Sequence, residues 1–369
     1  MKIVICSNSS WNLYNFRKNL IYRIQNELKS DIIIMCPDDN YISKLNLTKF
    51  KYKKIYLLPR KISFLTDIIL IFQFYFLLRR EKPDLFIPFT IKPNLYGSFI
   101  TNLLSIKTIN NFTGLGNLFH NHILKKMIIK ILLRLSIKKS NFIFFHNNED
   151  HLYFIKNGLC NNFNSFVVPG SGIDLTKFSE KNISLNKVEK DSFIFFGRIM
   201  RDKGIIEYLD AAEAVKKINP LIKFSVLGSI EYSERKVVKK LNLSIKNNII
   251  KYYAFTDNIF NIIEKYECVI LPSYHEGMSK ALLESAALYK PIIASDIPGI
   301  REIVINQING YLFEKKNTQD LITKIKLFLS DNQDTKKLMS SNSRKVIEKN
   351  FNEKFVLNKY LKEISNILK

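Results

Sequence analysis

The sequence predicts an α/β protein made of two doubly wound domains with parallel sheets. Short apolar runs of strand length alternate with longer amphipathic stretches of helix length along most of the chain. This alternation is typical of βα units in parallel sheets. The length of 369 residues is long for one hydrophobic core and suits two domains of ordinary size.

In the first half, apolar runs predict strands at residues 3–6, 31–35, 55–58, 85–89, 108–112 and 142–145. Between them, amphipathic or apolar stretches predict helices through residues 16–28, at 62–78, from 95 onward and at 120–139. The first loop, Ser7 to Ser10, lacks the glycines of a dinucleotide fingerprint. A dinucleotide cofactor at this loop is therefore not expected.

The second half repeats the pattern, with strands predicted at residues 193–196, 222–227, 249–253, 269–272 and 292–294 and a last helix at 353–368. We place an N-terminal domain at residues 1–170, an interdomain linker at 171–191 and a C-terminal domain at 192–350. The C-terminal helix falls in residues 351–369, and packing against the first domain is one option for it.

The composition favours an anionic partner, because the formal net charge is +24. Such a charge suits nucleic acid, an anionic membrane surface or a phosphorylated small molecule. Nucleic-acid binding has no further support, since we find no arginine-rich tail, zinc-ligand spacing or aromatic RNA-binding motif. We therefore expect no nucleic-acid partner.

The cysteines and the N-terminus indicate where the protein works. Four scattered cysteines without metal-ligand spacing predict buried free thiols in a reducing compartment. The apolar part of the N-terminus is too short for a signal peptide, and no uninterrupted apolar run of about eighteen residues predicts a membrane span. A cytoplasmic protein is the expectation.

Residues 120–139 predict a basic amphipathic helix. We place its apolar face through Ile123, Met127, Ile131 and Leu135. Its basic face carries Lys126, Lys130, Arg134 and Lys138. Two interpretations stay open: an ordinary solvated surface helix, or a face that docks on anionic lipid headgroups.

Loops that follow the predicted strands are candidate ligand contacts, because open α/β sheets bind ligands at the carboxyl ends of their strands. In the first half this selects Lys92, Thr113 and Gly114. Trp11 and Asn12 follow the first strand. Trp11, the only tryptophan, is equally compatible with simple packing over that loop.

In the second half, Arg198 and Lys203 lie in a turn bracketed by glycines, where two cations could reach one diphosphate. Glu276 and Glu284 are eight residues apart, which would correspond to about 12 Å of rise if both lay on one α-helix. That is roughly the span from sugar to ribose in a nucleotide sugar. Taken singly, each pair is better explained as solvated surface charge.

The segments that contain these four residues resemble those of a known protein family. The segments FFGRIMRDKG (Phe195–Gly204) and PSYHEGMSKALLESAALYKPIIASDIPGIREIV (Pro272–Val304) together resemble the donor-binding half of the family 4 retaining glycosyltransferases, which have the GT-B fold. NGYLF (Asn309–Phe313) continues the pattern. PGSGIDLTKF (Pro169–Phe178) resembles the segment between that family's domains.

The first half resembles the family through NFR (Asn15–Arg17), TIKPNLYG (Thr90–Gly97) and NFTGLG (Asn111–Gly116). These pieces are most similar to the branch that builds bacterial surface polysaccharides and protein-linked glycans on a polyprenyl diphosphate carrier. The glycine pair and the histidine that many members have in the first loop and near Thr113 are absent.

The resemblance implies a GT-B fold, with two Rossmann-like domains facing a central cleft, and a role for each donor-side residue. It assigns Arg198 and Lys203 to the donor diphosphate, Glu276 to the sugar hydroxyls and Glu284 to the ribose. Gly277 and Met278 would supply backbone amides to the sugar and phosphate. The catalytic residues it implies are Glu276, Arg198 and Lys203, and the acceptor-side candidates are Lys92, Thr113, Gly114, Trp11 and Asn12.

The function that follows from the resemblance is transfer of a hexose or N-acetylhexosamine, with retained configuration, from a uridine-linked sugar to a polyprenyl-diphosphate-linked saccharide. The nucleotide sugar would be a substrate, and neither a metal nor another cofactor is expected. Such an enzyme would work peripherally on the inner face of the plasma membrane. The alternative is a non-catalytic GT-B protein that binds a nucleotide sugar or acts as a membrane scaffold.

Overall fold

The computed structural model describes residues 1–45, 49–58, 64–114, 123–178, 188–256 and 258–369, with the backbone alone for residues 64 and 123–129. The chain forms two compact units, one of Met1–Ser171 with Lys354–Lys369 and one of Gly172–Glu353. Each unit is built on one sheet, and every strand pairing in the described parts is parallel. The predicted α/β class with two parallel sheets is confirmed.

The first unit has a seven-stranded sheet in the order β3-β2-β1-β4-β5-β6-β7. Its strands are β1 (Lys2–Cys6), β2 (Asp31–Cys36), β3 (Lys51–Lys54), β4 (Leu85–Pro88), β5 (Lys107–Phe112), β6 (Phe142–Phe145) and β7 (Ser165–Val167). Its helices before the second unit are α1 (Ser10–Leu28), α2 (Phe64–Glu81), α3 (Ser98–Leu104), α4 (Ile123–Ile137) and α5 (Asn148–Lys156).

Both faces of this sheet are covered, which is why its strands read as continuous apolar runs. Ile3 and Ile5 of β1 point into the core that contains α1. Val4 and Cys6 point into the opposite core, which contains α2 and α3. Strand β6 continues the division, since Phe142 and Phe144 join the α1 side and Ile143 and Phe145 pack with α4 and α5. Helices α2, α3 and α4 therefore share one face of the sheet.

The strand predicted at residues 55–58 is wrong, because β3 lies just before it, at Lys51–Lys54. Strand β3 is the sheet edge and its side chains are largely exposed, so a polar KYKK sequence is tolerated and protects the edge. Ile55 and Leu57 are buried, as their apolar character suggested, but they fill the core beside α2 rather than extend the strand.

In its described part, the apolar face predicted for the basic helix is not the face that packs on the sheet. Leu133 and Ile137 of α4 are buried, whereas Ile131 and Leu135 are 56% and 46% exposed. The helix is apolar on more than one side, so the periodicity alone could not decide which side packs. The side chains of Ile123, Lys126 and Met127 lie outside the described residues.

The second unit has a six-stranded sheet in the order β10-β9-β8-β11-β12-β13. Its strands are β8 (Glu189–Phe196), β9 (Lys223–Gly228), β10 (Lys251–Ala254), β11 (Tyr266–Leu271), β12 (Ile292–Ser295) and β13 (Gly310–Phe313). Its helices are α6 (Ile205–Ile218), α7 (Arg235–Lys246), α8 (Phe260–Ile263), α9 (Lys280–Ala287), α10 (Thr318–Ser330) and α11 (Gln333–Asn350).

The last helix, α12 (Glu353–Leu368), returns to the first unit. Val356, Tyr360 and Ile364 are buried in the core on the α1 side. The Tyr360 hydroxyl donates a hydrogen bond of 2.5 Å to Oδ1 of Asn111 at the end of β5. The predicted linker range 171–191 overlaps β8, which already begins at Glu189, and residues 179–187 lie outside the described parts.

Two further properties of the chain were anticipated from the sequence. All four cysteines are free thiols, and Cys6, Cys36 and Cys268 are buried. Across the described ranges, no helix combines the length and the hydropathy needed to cross a bilayer.

Candidate active site

The topology of the second sheet marks one place for a ligand site. From β8 the chain runs outward through β9 and β10, then returns to add β11 on the other side of β8. Ligands of open α/β sheets bind where the strand order reverses in this way, beyond the carboxyl ends of the strands. The loop that follows β8 carries Arg198 and Lys203. The loop that follows β11 carries Glu276 and Gly277.

The loop after β8 closes tightly against the loop after β11. A 3-10 helix at Arg201–Lys203 ends at Gly204, whose φ of 71° and contact with the Pro272 carbonyl exclude any side chain. The amide of Tyr274 donates a 2.9 Å hydrogen bond to the Asp202 carbonyl. The two loops are thus joined through their backbones, and the residues on them are held at a fixed separation.

Two predicted catalytic residues contact each other. Nζ of Lys203 lies 2.5 Å from Oε1 of Glu276, and the Ser273 hydroxyl donates to the same oxygen at 2.8 Å. Arg198 is exposed and makes no ion pair with the residues that the structure describes. The site therefore presents one partly exposed Lys–Glu pair and one solvent-facing guanidinium.

Glu276 does not lie on the helix, so the expectation of two glutamates on one helix is wrong. Helix α9 begins at Lys280, and Ser279 before it has extended backbone angles, φ −78° and ψ 101°. Only Glu284 is helical, and the rise of about 12 Å calculated for an eight-residue helical spacing does not apply. Gly277 and Met278 fall in the loop between the two carboxylates.

The segment before α9 has features of an anion site. Within the described chain, the amides of Met278 and Ser279 donate no hydrogen bond, and they directly precede the N-terminus of α9. Free amides and the helix dipole favour negative charge there. The Met278 side chain packs against the hydrophobic core. Gly299 (φ 78°) supports the loop, since a Cβ at Gly299 would lie 2.5 Å from the Gly277 carbonyl oxygen.

Glu284 is a partly buried carboxylate on α9. Burial raises the pKa of Glu284, while the nearby cations of Lys280 and Lys177 act in the opposite direction. A carboxylate in such a position gains from hydroxyl donors, because they replace the hydration that burial removes. This agrees with the expected ribose contact and leaves it a prediction.

Sequence reasoning missed three residues that shape this site. Ser273 is hidden in the PSY segment, yet its hydroxyl orients Glu276. The Tyr274 hydroxyl donates a 2.5 Å hydrogen bond to Oε1 of Glu207 on α6. Burial, followed by the hydrogen bond to Glu207 and then its charge, raises the pKa of Tyr274, which keeps its phenol protonated. Only the position of Ser273 and Tyr274 directly before Glu276 could have indicated them.

The acceptor-side candidates lie in the first unit, after strands β1, β4 and β5. Nζ of Lys92 is buried and forms a 2.5 Å ion pair with Asp67 of α2. Asp67 also accepts a 3.1 Å hydrogen bond from Tyr96. Thr113 and Gly114 are half-buried at the end of β5. Of these candidates, Lys92 already has a partner inside the protein.

Trp11 and Asn12 occupy the first turn of α1. The Trp11 ring packs edge-on against Phe16 at 5.3 Å, and its amide donates to Asp39 at 3.3 Å. Oδ1 of Asn12 accepts a 3.1 Å hydrogen bond from the Ser7 hydroxyl. These contacts match the packing interpretation of Trp11 and test no ligand role.

A buried polar pair in the same unit was also missed. Arg17 Nη2 lies 3.1 Å from Nε2 of His146, and the guanidinium stacks on the Phe89 ring at 4.2 Å from its centroid. Burial, and then the charge of Arg17, lowers the pKa of His146 well below its ordinary value. The imidazole is therefore neutral and accepts from Arg17. The NFR segment pointed to Arg17, but no local pattern connected it to His146.

Comparison with known proteins identifies the second unit. Residues 176–346 match the family model for glycosyl transferases group 1. The chain is 26% identical over 389 aligned positions, covering 100% of both proteins, to the N,N'-diacetylbacillosaminyl-diphospho-undecaprenol alpha-1,3-N-acetylgalactosaminyltransferase of Campylobacter jejuni subsp. jejuni. It is also 26% identical to the UDP-Gal:alpha-D-GlcNAc-diphosphoundecaprenol alpha-1,3-galactosyltransferase of Escherichia coli, over 80% of this chain and 78% of that protein.

Solved structures agree on the fold. The Anabaena Alr3699/HepE structure with UDP-glucose matches with a TM-score of 0.79 at 18% identity, covering 99% of this chain and 100% of that chain. The Rickettsia africae glycosyltransferase matches with a TM-score of 0.78 at 17% identity, over 100% and 99%. The resemblance read from the sequence is thereby confirmed: the chain is a glycosyltransferase of the GT-B fold whose residues 176–346 belong to the glycosyl transferases group 1.

Proposed function

We propose that this glycosyltransferase moves a hexose or N-acetylhexosamine from a uridine-linked nucleotide sugar to a polyprenyl-diphosphate-linked saccharide, with retained configuration. The observation that carries the proposal is the contact between Lys203 and Glu276 at the switch point, with the exposed Arg198 on the same loop as Lys203. It brings cations for a diphosphate and an acceptor for sugar hydroxyls to the same loops.

In the proposed reaction, the bond between the anomeric carbon and the diphosphate oxygen breaks, and its electron pair leaves with the nucleoside diphosphate. Arg198, Lys203 and the amides before α9 stabilise this charge, and they make the largest contribution to catalysis. The acceptor hydroxyl attacks the anomeric carbon from the same face of the sugar from which the diphosphate leaves. It passes its proton to an oxygen of the departing phosphate.

No metal is required in this proposal, because the two cations can neutralise the diphosphate as it leaves. The nucleotide sugar enters as a substrate rather than as a cofactor. Transfer that survives a chelator would support this, and activity restored only by added divalent cation would contradict it.

A second mechanism uses Glu276 as a nucleophile that first forms a covalent bond to the sugar. Lys203 and Ser273 both contact Oε1 of this carboxylate, and the ion pair with Lys203 withdraws negative charge from the carboxylate and makes it a weaker nucleophile. We favour attack from the leaving-group face for that reason. A glycosyl adduct on Glu276, found by mass spectrometry after mixing with donor and a poor acceptor, would reverse the preference.

The donor and acceptor classes are supported by the relatives. Both bacterial proteins described above act, by name, on sugars attached to undecaprenyl diphosphate, and both form alpha-1,3 linkages. One of them uses UDP-galactose. From these relatives we propose the same carrier lipid and the same nucleotide for this chain, but no particular sugar. A protein with this acceptor would work on the inner face of the plasma membrane, in surface polysaccharide or glycan synthesis.

A non-catalytic protein that only binds the nucleotide sugar would differ from the proposed transferase in one measurable outcome. The purified chain is offered a panel of UDP-sugars with a short-chain prenyl-diphosphate N-acetylhexosamine, and product and anomeric configuration are determined by mass spectrometry and NMR. An α-linked product from one donor supports the proposal. A β-linked product would contradict retention, and donor binding without turnover on any such acceptor would favour a binding protein.

A further inference from the structure

Helix α2 turns an apolar stripe toward solvent. Its inner side is buried against the sheet through Leu70, Phe74 and Leu78. Its outer side carries large apolar residues at helical spacing, each between 54% and 73% exposed: Leu65, Ile69, Phe72 and Phe76. Isolated exposed apolar residues are common, but four in register along one helix indicate an interaction surface.

Exposed apolar residues also occur on the two neighbouring helices. Helix α2 contacts α3 and α3 contacts α4, and all three cover the same face of the sheet. Leu103 of α3 is exposed, as are Ile131 and Leu135 of α4. We call this surface the outer α2–α4 face. It consists of Leu65, Ile69, Phe72, Phe76, Leu103, Ile131 and Leu135.

The charges around the outer α2–α4 face have one sign. The exposed cations on its helices are Arg79, Arg80, Lys130, Arg134 and Lys138, the last just after α4. The carboxylates in the sequences of the three helices are Asp67 and Glu81, and both are buried. Asp67 pairs with Lys92, and Glu81 pairs with Lys51 and Lys53. No exposed carboxylate thus lies on the described parts of these helices.

We infer that the outer α2–α4 face docks the protein on an anionic bilayer, with the apolar stripe of α2 inserted among the acyl chains and the cations at the headgroups. This inference rests on the proposed function, which places the acceptor in a membrane. On α4, Ile131 and Leu135 would face the lipid together with Lys130 and Arg134.

The charge decides between a bilayer and a second copy of the chain. Self-association through this face would bring two sets of cations together without a carboxylate to oppose them. A bilayer with acidic lipids supplies the opposite charge and an apolar interior at once, which is the combination that an in-plane amphipathic helix uses.

The test measures co-sedimentation of the full chain with vesicles of phosphatidylcholine alone or mixed equally with phosphatidylglycerol. We expect the wild-type chain to bind the mixed vesicles. The variant Leu65→Gln/Ile69→Gln/Phe72→Gln/Phe76→Gln keeps helix-forming residues and should bind about 100-fold more weakly. Lys130→Gln/Arg134→Gln/Lys138→Gln should lose about 5-fold per cation, and only on the anionic vesicles.

A matched control replaces exposed leucines on helices elsewhere in the chain. Leu243 on α7 and Leu338 on α11, both in the second unit, are 49% and 59% exposed. Leu243→Gln/Leu338→Gln should bind vesicles like the wild type. Thermal unfolding and UDP affinity of all variants should match the wild type. Equal vesicle binding by the α2 variant and this control would overturn the inference.

A second measurement covers the case in which the α2 variant fails to fold. In a Trp11→Phe background, Phe72→Trp should shift its emission to the blue with anionic vesicles, and Leu338→Trp should not. No shift at residue 72, or a wild-type dimer that the α2 variant converts to monomer, would refute bilayer docking.

Failure of the docking surface is distinguishable from failure of the proposed function. Transfer to a water-soluble, short-chain prenyl-diphosphate acceptor does not require a bilayer, so the α2 variant should retain it while losing transfer to a long-chain acceptor in vesicles. Equal loss on both acceptors would show that α2 serves the reaction itself and not docking. A wild-type chain that binds vesicles but transfers to neither acceptor would refute the proposed function alone.

Discussion

Each unit contains a lysine paired with a carboxylate at 2.5 Å, but the two pairs have different surroundings. In the second unit, Lys203 meets Glu276 across two loops, and the lysine side chain is 19% exposed. In the first unit, Lys92, in the helical turn that follows β4, meets Asp67 of helix α2, and its side chain is 8% exposed. Tyr96 also donates to Asp67, and burial raises the pKa of this tyrosine.

The difference indicates what each pair does. The Lys203–Glu276 pair lies on loops at the switch point, beside open amides and an exposed arginine, so a ligand can reach it. The Lys92–Asp67 pair is enclosed, and its charges compensate one another inside the protein. Removing one partner of an enclosed pair strands a charge. The carboxylates of both pairs are 9% exposed, so the two pairs differ in their lysines, and Lys203 is the one that water or a ligand can reach.

The largest effect expected from this comparison is on stability. Lys92→Met leaves Asp67 buried without its cation and should lower the free energy of unfolding by about 3–5 kcal/mol. Urea denaturation followed by circular dichroism measures this. The double variant Lys92→Met/Asp67→Asn should recover most of the loss. A single variant with wild-type stability and lost transfer would instead make Lys92 an acceptor-binding residue.

The next effect is on catalysis. Lys203→Ala should reduce the transfer rate by about 10²–10³-fold, the size seen when one stabilising donor is removed from a developing anion. The free energy of unfolding should fall by less than in Lys92→Met, because the Lys203 side chain is 19% exposed and Glu276 keeps the hydrogen bond from Ser273. Lys217→Ala, which removes an exposed pair with Glu213 on α6, is the control and should change neither quantity. Full activity of the Lys203 variant would contradict the proposed contact between Lys203 and the diphosphate.

The smallest effect concerns pH. The folded-state pKa of His146 lies well below 6.5, by burial first and Arg17 second. The unfolded chain therefore takes up the proton first, and His146 lowers stability as pH falls below 6.5, by up to about 1.4 kcal/mol per pH unit. His146→Gln should flatten this dependence in unfolding curves between neutral and mildly acidic pH. His151→Gln is a comparison, since burial also lowers the pKa of His151. An unchanged slope in the His146 variant would contradict a neutral, buried imidazole.

The sequence predicted most strands to within a few residues because buried parallel strands are continuous apolar runs. It failed at β3, where an edge strand needs no apolar residues, and on α4, where several sides of the helix are apolar. It also placed Glu276 on a helix, although α9 begins only at Lys280. Each error arose where a local pattern was compatible with two environments.

The residues of the candidate site also fall into two groups, those that the sequence predicted and those that it missed. The types and order of Arg198, Lys203, Glu276 and Glu284 could be read from the chain, together with the glycines that their loops need. Ser273, Glu207 and His146 could not, because their partners are distant in sequence or because a serine or glutamate has no distinctive local signal.

By itself, the sequence determined the fold class, since strand and helix patterns are local properties, and its motifs named Arg198, Lys203, Glu276 and Glu284 as candidates for the donor site. Only the tertiary structure decided that Lys203 contacts Glu276, that Lys92 is enclosed with Asp67 and that α2 exposes its apolar stripe. Those outcomes depend on which elements pack together. Packing is set by the whole chain, because a side chain is buried or exposed according to its neighbours and not according to its own chemistry.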